Sequence, residues 1–170
     1  MINQRERIIE HIPRLRRYAH ALLKNDTLAA DDLVQDCLER ALSRLHYWRL
    51  GSDMRAWLFT IMHNIYVNQV QRRSNGPQFV ELPANDAGIV DSAQAERNVE
   101  LRDLHRGMAA LSPDQREIII LVSLEGLRYQ EVATILGIPE GTVMSRLSRA
   151  RKQLRALLNR DNSPTLRRVK

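Results

Sequence analysis

The sequence predicts an all-α protein of two small helical domains joined by a flexible linker, and three observations carry that prediction. Apolar residues recur at every third and fourth position over long stretches, the helical rather than the strand period. Aromatic residues make up only 5% of the 170 residues, fewer than a β-sandwich core draws on. From 74 to 97 the periodicity stops, and Ser74-Asn75-Gly76-Pro77 followed by Leu82-Pro83-Ala84-Asn85-Asp86-Ala87-Gly88 supplies breakers and acids instead. This divides the chain into a domain over 1–75, a linker over 76–97 on which the domains pivot, a domain over 98–160, and a basic tail over 161–170.

In the first block, Ile8, Ile9, Ile12, Leu15, Tyr18, Ala19 and Leu22 predict helix from Arg5 to Leu23. Pro13 lacks an N–H and is expected to divide it into two. After Lys24-Asn25-Asp26, a second helix has Leu33, Val34, Cys37, Leu38, Ala41, Leu42 and Leu45 on one stripe, with Asp31, Asp32, Gln35, Asp36, Glu39 and Arg40 opposite. Gly51-Ser52-Asp53 breaks the pattern and offers a cap, and Met54, Trp57, Leu58, Ile61 and Ile65 begin a third helix that ends near Arg72-Arg73. In the second block a helix over 95–110 comes first. Ser112-Pro113-Asp114-Gln115 then combines an N-cap, a proline at the first helical position and a capping-box glutamine. That helix runs through Ile118, Ile119, Leu121 and Val122 to a close at Glu125-Gly126. From Asn159 onward the tail is expected to fray.

The net charge of +6 and pI near 10.1 point to a polyanionic partner. Residues 1–75 carry 12 Lys/Arg against 8 Asp/Glu, residues 76–100 carry 1 against 5, and residues 101–170 carry 13 against 7, so two basic blocks flank an acidic bridge. One cysteine, Cys37, excludes an intramolecular disulfide, and its place on an apolar stripe fits a packed thiol better than a redox switch. There is neither a charged-then-apolar leader nor an apolar run of about 18 residues, which predicts a cytoplasmic protein with no membrane insertion. His11, His20, His46, His63 and His105 are scattered, so no metal site and no cofactor are expected. No nucleophile–base pair or phosphate-binding glycine loop is evident, so the chain is not expected to be an enzyme.

Residues 129–155 carry the chemistry. Ala133 is small where two helices must approach, Gly137 sits at a turn that favours positive φ, and Ile138 and Val143 plug the angle between the helices. In the second of these helices Val143, Leu147, Ala150, Leu154, Leu157 and Leu158 share a face. From Thr142 to Leu158 there are five cations (Arg146, Arg149, Arg151, Lys152, Arg155) and no acid. Alone, such a face is better read as solvated; joined to the turn it reads as a DNA-binding helix-turn-helix.

Four motifs in register narrow the reading. Ala30-Asp31-Asp32-Leu33-Val34-Gln35-Asp36, Arg55-Ala56-Trp57-Leu58-Phe59-Thr60-Ile61-Met62-His63-Asn64, Leu111-Ser112-Pro113-Asp114-Gln115-Arg116-Glu117 and Gly141-Thr142-Val143-Met144-Ser145-Arg146 together resemble, over residues 5–158, the extracytoplasmic-function (group 4) sigma factors of the sigma-70 family. The resemblance implies a region 2 bundle of three or four helices and a region 4 helix-turn-helix. It implies core RNA polymerase (β′ and β subunits) and promoter DNA as partners, an anti-sigma factor as regulator, and a part in stress-responsive transcription initiation. Asp31, Asp32, Gln35, Asp36 and Glu39 then form the polymerase-docking face, an acidic helix suited to a basic coiled coil. Asn64, Tyr66, Asn68, Arg72 and Arg73 fall where the family reads and melts the −10 element, with Asn64 near the pocket for a flipped base. Trp57 fits core packing better than base stacking, and Phe59 fits both. Thr142, Ser145, Arg146, Ser148, Arg149 and Lys152 fall where it reads the −35 element.

Two residues depart from the family pattern. Met144 stands where relatives carry Arg or Lys, and Arg128 where they have a Ser or Thr cap. Two other readings stay open: a helix-turn-helix regulator without a stable polymerase complex, and a sigma mimic that sequesters an anti-sigma factor.

Overall fold

Ile8, Leu15, Tyr18 and Leu22 wind down one side of the first helix, α1 (Gln4–Leu22), and are buried. In this computed structural model, which describes residues 4–24, 26–74 and 92–161, α1 passes unbroken through Pro13, against the expectation of two helices. Pro13 and Ile9, whose carbonyl loses its donor, are both exposed, so the break in hydrogen bonding faces solvent. The apolar stripe on either side of it stays docked.

Asp26 accepts a hydrogen bond from the Ala29 N–H at 3.1 Å and starts α2 (Thr27–Ser43). A 3₁₀ turn, Leu45–Tyr47, leads to Asp53, whose carboxylate accepts the N–H groups of Arg55 and Ala56 and starts α3 (Met54–Ser74). These three helices carry the buried Leu33, Cys37, Leu58, Phe59 and Met62, and Tyr18 of α1 is buried with them. Phe59 is a core residue: its ring meets that of Tyr18 edge-on at 5.1 Å.

Cys37 is fully buried with its sulfur 3.6 Å from the Leu58 carbonyl, and burial pushes the thiol up to about 12. The thiolate is the reactive form, and at pH 8 a pKa of about 12 leaves roughly one in 10,000 molecules ionised. Iodoacetamide is therefore expected to label the native protein far more slowly than the urea-unfolded chain; equal rates would contradict this packing.

The second half begins at α4 (Ser92–Ala110), three residues before the expected start and within the segment read as linker. The remaining linker residues, 76–91, with residue 75 before them, and the tail beyond Asp161 lie outside the described residues. Ser112 and Gln115 make both hydrogen bonds of the capping box, at 3.3 and 3.2 Å, and open α5 (Pro113–Ile119). A widened turn, Ile120–Leu124, follows, where the Glu125 N–H reaches back to Ile120, and Gly126 then adopts φ +65°. α6 (Tyr129–Leu136) ends at Gly137 with φ +64°, and α7 (Glu140–Asp161) continues through Asn159, where fraying was expected. Gly107 faces α7, where a Cβ would lie 2.8 Å from a terminal methyl of Leu154, which would have to shift to admit it.

The two halves are in contact. α6 packs on α3, and both α5 and the widened turn pack on α1, so the two halves share one continuous cluster of buried apolar residues.

Candidate nucleic-acid interface

On α2 Leu33, Val34, Cys37 and Ala41 turn inward, though Leu42 of the same stripe is exposed, and Asp31, Asp32, Gln35, Asp36 and Glu39 stand exposed on the outer face. The face is internally braced. Gln35 donates to Glu39 at 3.1 Å, and Gln69 of α3 donates to Asp36 at 3.4 Å. Arg16 of α1 lies 3.8 Å from Asp31.

On α3, Asn64, Asn68, Arg72 and Arg73 are exposed. Asn64 stands at an open, shallow pocket of about 500 Å³ with Arg44, Tyr47, Trp57, Thr60 and Ile61. Tyr47 is 74% exposed and its ring centroid lies 4.0 Å from that of His46. Trp57 is half-buried, packed on the core by one side and lining the pocket by another. The pocket therefore joins an amide, a guanidinium and two aromatic rings, groups that pair with base edges, phosphate and base faces respectively. Of these residues the sequence singles out Asn64 and Trp57 but not Arg44 or Tyr47, which belong to the connection between helices and show no periodicity.

Tyr66 differs from expectation. It is buried at 5% exposure, and Glu117, Arg116 and Asp114 of α5 all act electrostatically on its hydroxyl. Its place on the side of α3 turned to the second half explains this.

On α7, Val143, Leu147 and Ala150 are buried, and Ser145, Ser148, Arg149 and Lys152 are exposed. Thr142 is half-buried, and its carbonyl accepts the Ser145 hydroxyl. Arg146 reaches Asp114 at 3.4 Å, and with Arg149, Ser112 and Gln115 these residues line a cleft of about 200 Å³. Met144 is 53% exposed on this face, an apolar group where a cation would add a phosphate or base contact. Arg128 gives α6 no side-chain cap; Glu131 accepts the Arg128 N–H at 2.7 Å, half of a capping box.

Between the halves lies a buried polar cluster that the sequence did not announce. Arg116, 4% exposed, donates to the carbonyls of Met108, Ala109 and Leu111 around the end of α4, and to that of Leu22 at the end of α1. Helix C-termini carry partial negative charge and unpaired carbonyls, so a guanidinium fork suits them. Glu117, 3% exposed, takes the Tyr18 hydroxyl and, at 2.7 Å, Nδ1 of His63 on the same oxygen. Burial and the Glu117 charge raise Tyr18 well above the ordinary phenol range, so the hydroxyl stays the donor.

Comparison with known proteins accords with this architecture. A family model described as "Sigma2 domain of PhyR" matches residues 8–63, and one described as "Sigma-70, region 4" matches residues 101–154. The chain is 34% identical to the ECF RNA polymerase sigma factor EcfG of Rhodopseudomonas palustris over 163 residues, covering 94% of this chain and 87% of that one. The chain belongs to the extracytoplasmic-function sigma factors. Its fold is also that of the sigma factor RpoE in complex with the anti-sigma factor NepR from Bartonella quintana, with TM-score 0.72, 33% identity, and 91% and 95% of the two chains covered. CnrH, solved with the cytosolic domain of CnrY, superposes with TM-score 0.66 at 26% identity, over 94% of this sigma factor and 91% of CnrH. No helix among the described residues of this sigma factor is long and apolar enough to cross a membrane.

Proposed function

We propose that this sigma factor docks on core RNA polymerase through the α2 face, reads and traps an unstacked −10 base in the Asn64 pocket, and reads the −35 element with Arg146, Arg149 and their neighbours on α7. The Asn64 pocket carries the reading. An exposed amide beside stacking rings and a guanidinium suits a single-stranded base, which a duplex-only regulator has no need to hold. Catalysis belongs to the polymerase, and the protein works in the cytoplasm, where promoter DNA is. An anti-sigma factor is its regulator on this reading, supported by the anti-sigma complex of the similar RpoE.

The match of residues 8–63 to the PhyR model favours one rival, a sigma mimic. Against it stand the exposed arginines of α7, which a mimic does not require.

Run-off transcription with purified core polymerase and a promoter library decides between them. Promoter-specific transcripts are expected, and none from any template would favour the mimic. Replacing both Asp32 and Gln35 by Ala is expected to weaken core binding about tenfold, on the scale of charged interface contacts, with helix content unchanged. Unchanged core affinity would move the docking face elsewhere.

A further inference from the structure

Met144 is an apolar residue on a polar reading face. It is 53% exposed, and the other exposed residues from 141 to 155 are a glycine, serines, a glutamine and cations. A single apolar side chain on a protein surface ordinarily calls for no account. This one stands on the second turn of α7, in the N-terminal stretch of a reading helix that meets base edges. Its neighbours on the helix surface, Gly141, Ser145 and Ser148, are short and exposed, and a Cβ at Gly141 would meet nothing within 4 Å. Met144 therefore projects beyond the residues around it. Arg146 does not compete for the space, since its guanidinium turns to Asp114 at 3.4 Å. Nor does the position suit a phosphate: Met144 brings no charge, and Glu140, exposed one turn before it, brings a negative one.

Of the four base edges in the major groove, only that of thymine carries an apolar group, the C5 methyl. The other bases present donors and acceptors there, which a thioether pairs with weakly at best and would strip of water. We propose that Met144 sets the base preference at one position of the −35 element by packing on a thymine methyl, where a cation would select guanine or hold a phosphate. The inference rests on the assignment of α7 to the −35 element made above, and names what one residue of that helix reads. Methionine is suited to the contact, because an unbranched, polarisable side chain with three rotatable bonds conforms to the methyl group wherever the groove places it. The contact is uncharged, so it discriminates between sequences without adding to the salt dependence of binding.

The test uses the full chain reconstituted with core polymerase on a promoter selected from the run-off library. Each thymine of its −35 element, on either strand, is replaced singly by deoxyuridine, which keeps the hydrogen-bonding edge and lacks only the methyl. At one position binding is expected to fall about fourfold, the factor for losing one buried methyl group. At that position Met144→Ala should bind the thymine and deoxyuridine templates alike, whereas Met144→Leu, which keeps an apolar group of similar volume, should retain the difference. Native helix content and melting temperature show that both variants fold. A selected −35 element without thymine, no loss with deoxyuridine at any position, or a loss of the same size in Met144→Ala overturns the proposal. Promoter-specific transcripts that respond to Arg149→Ala but not to deoxyuridine remove the Met144 contact alone; no transcript from any template removes the functional reading and this contact with it.

Discussion

Replacing Arg116 by Met is expected to lower stability by about 3–5 kcal/mol, the scale for removing one member of a buried charged network. Four N–H groups of one guanidinium meet four carbonyls, at 2.8, 3.1, 3.2 and 2.9 Å. Methionine fills much of the volume and bonds none of them, leaving Met108, Ala109, Leu111 and Leu22 carbonyls short of a donor in or near the core. Burial lowers the Arg116 pKa, but arginine in a protein remains charged. Lys is expected to recover only part of the loss, because a compact ammonium has three donors and no planar fork to place on several acceptors. Thermal unfolding measures this, with a fall on the order of 10 °C expected for Met at this chain length. A melting temperature unchanged within about 2 °C would show that Arg116 does not tie the helix ends together.

Truncating Arg149 to Ala is expected to weaken promoter binding by about 1–3 kcal/mol, roughly 5- to 150-fold, when it loses a base or phosphate contact. Arg149 is exposed on α7, so its removal should leave folding and core binding as they were. The same change at Arg146 is expected to have a smaller effect, since its guanidinium is already engaged by Asp114 of α5 at 3.4 Å, a contact that promoter binding must first break. Filter binding or mobility shift of the reconstituted polymerase on promoters with and without a −35 element separates specific from general phosphate contact. If Arg149→Ala binds both templates like the unmutated protein, α7 is not the reading helix.

Local features were legible because they depend on neighbours in the chain. The Ser112 and Gln115 capping box, the Asp53 cap and the left-handed Gly137 each arise from a few consecutive residues, and each appears in the structure. The stripe of α2 fixed which residues face outward for the same reason, since helical geometry alone sorts Asp32 and Gln35 from Leu33 and Val34. Pro13 misled because its cost depends on which side of the helix it occupies, and that side is set by α2 and α3. Tyr66 misled in the same way. Arg116 and Glu117 left one faint sign: they precede Ile118, Ile119, Ile120 and Leu121, a run apolar on every face, and a helix of that kind is buried all round, polar residues included.

By itself, then, the sequence determined that this protein is two helical units with an acidic outward face on the second helix, an asparagine-bearing third helix and an arginine-bearing helix-turn-helix, because periodicity, caps and turn residues act within a few positions. The tertiary structure alone decided how the two units meet. Glu117 lies 99 residues from Tyr18 and 54 from His63 along the chain, and no local rule relates groups so far apart. Only folding brings a carboxylate from one half against a phenol and an imidazole from the other, where the loss of water obliges each to find a partner.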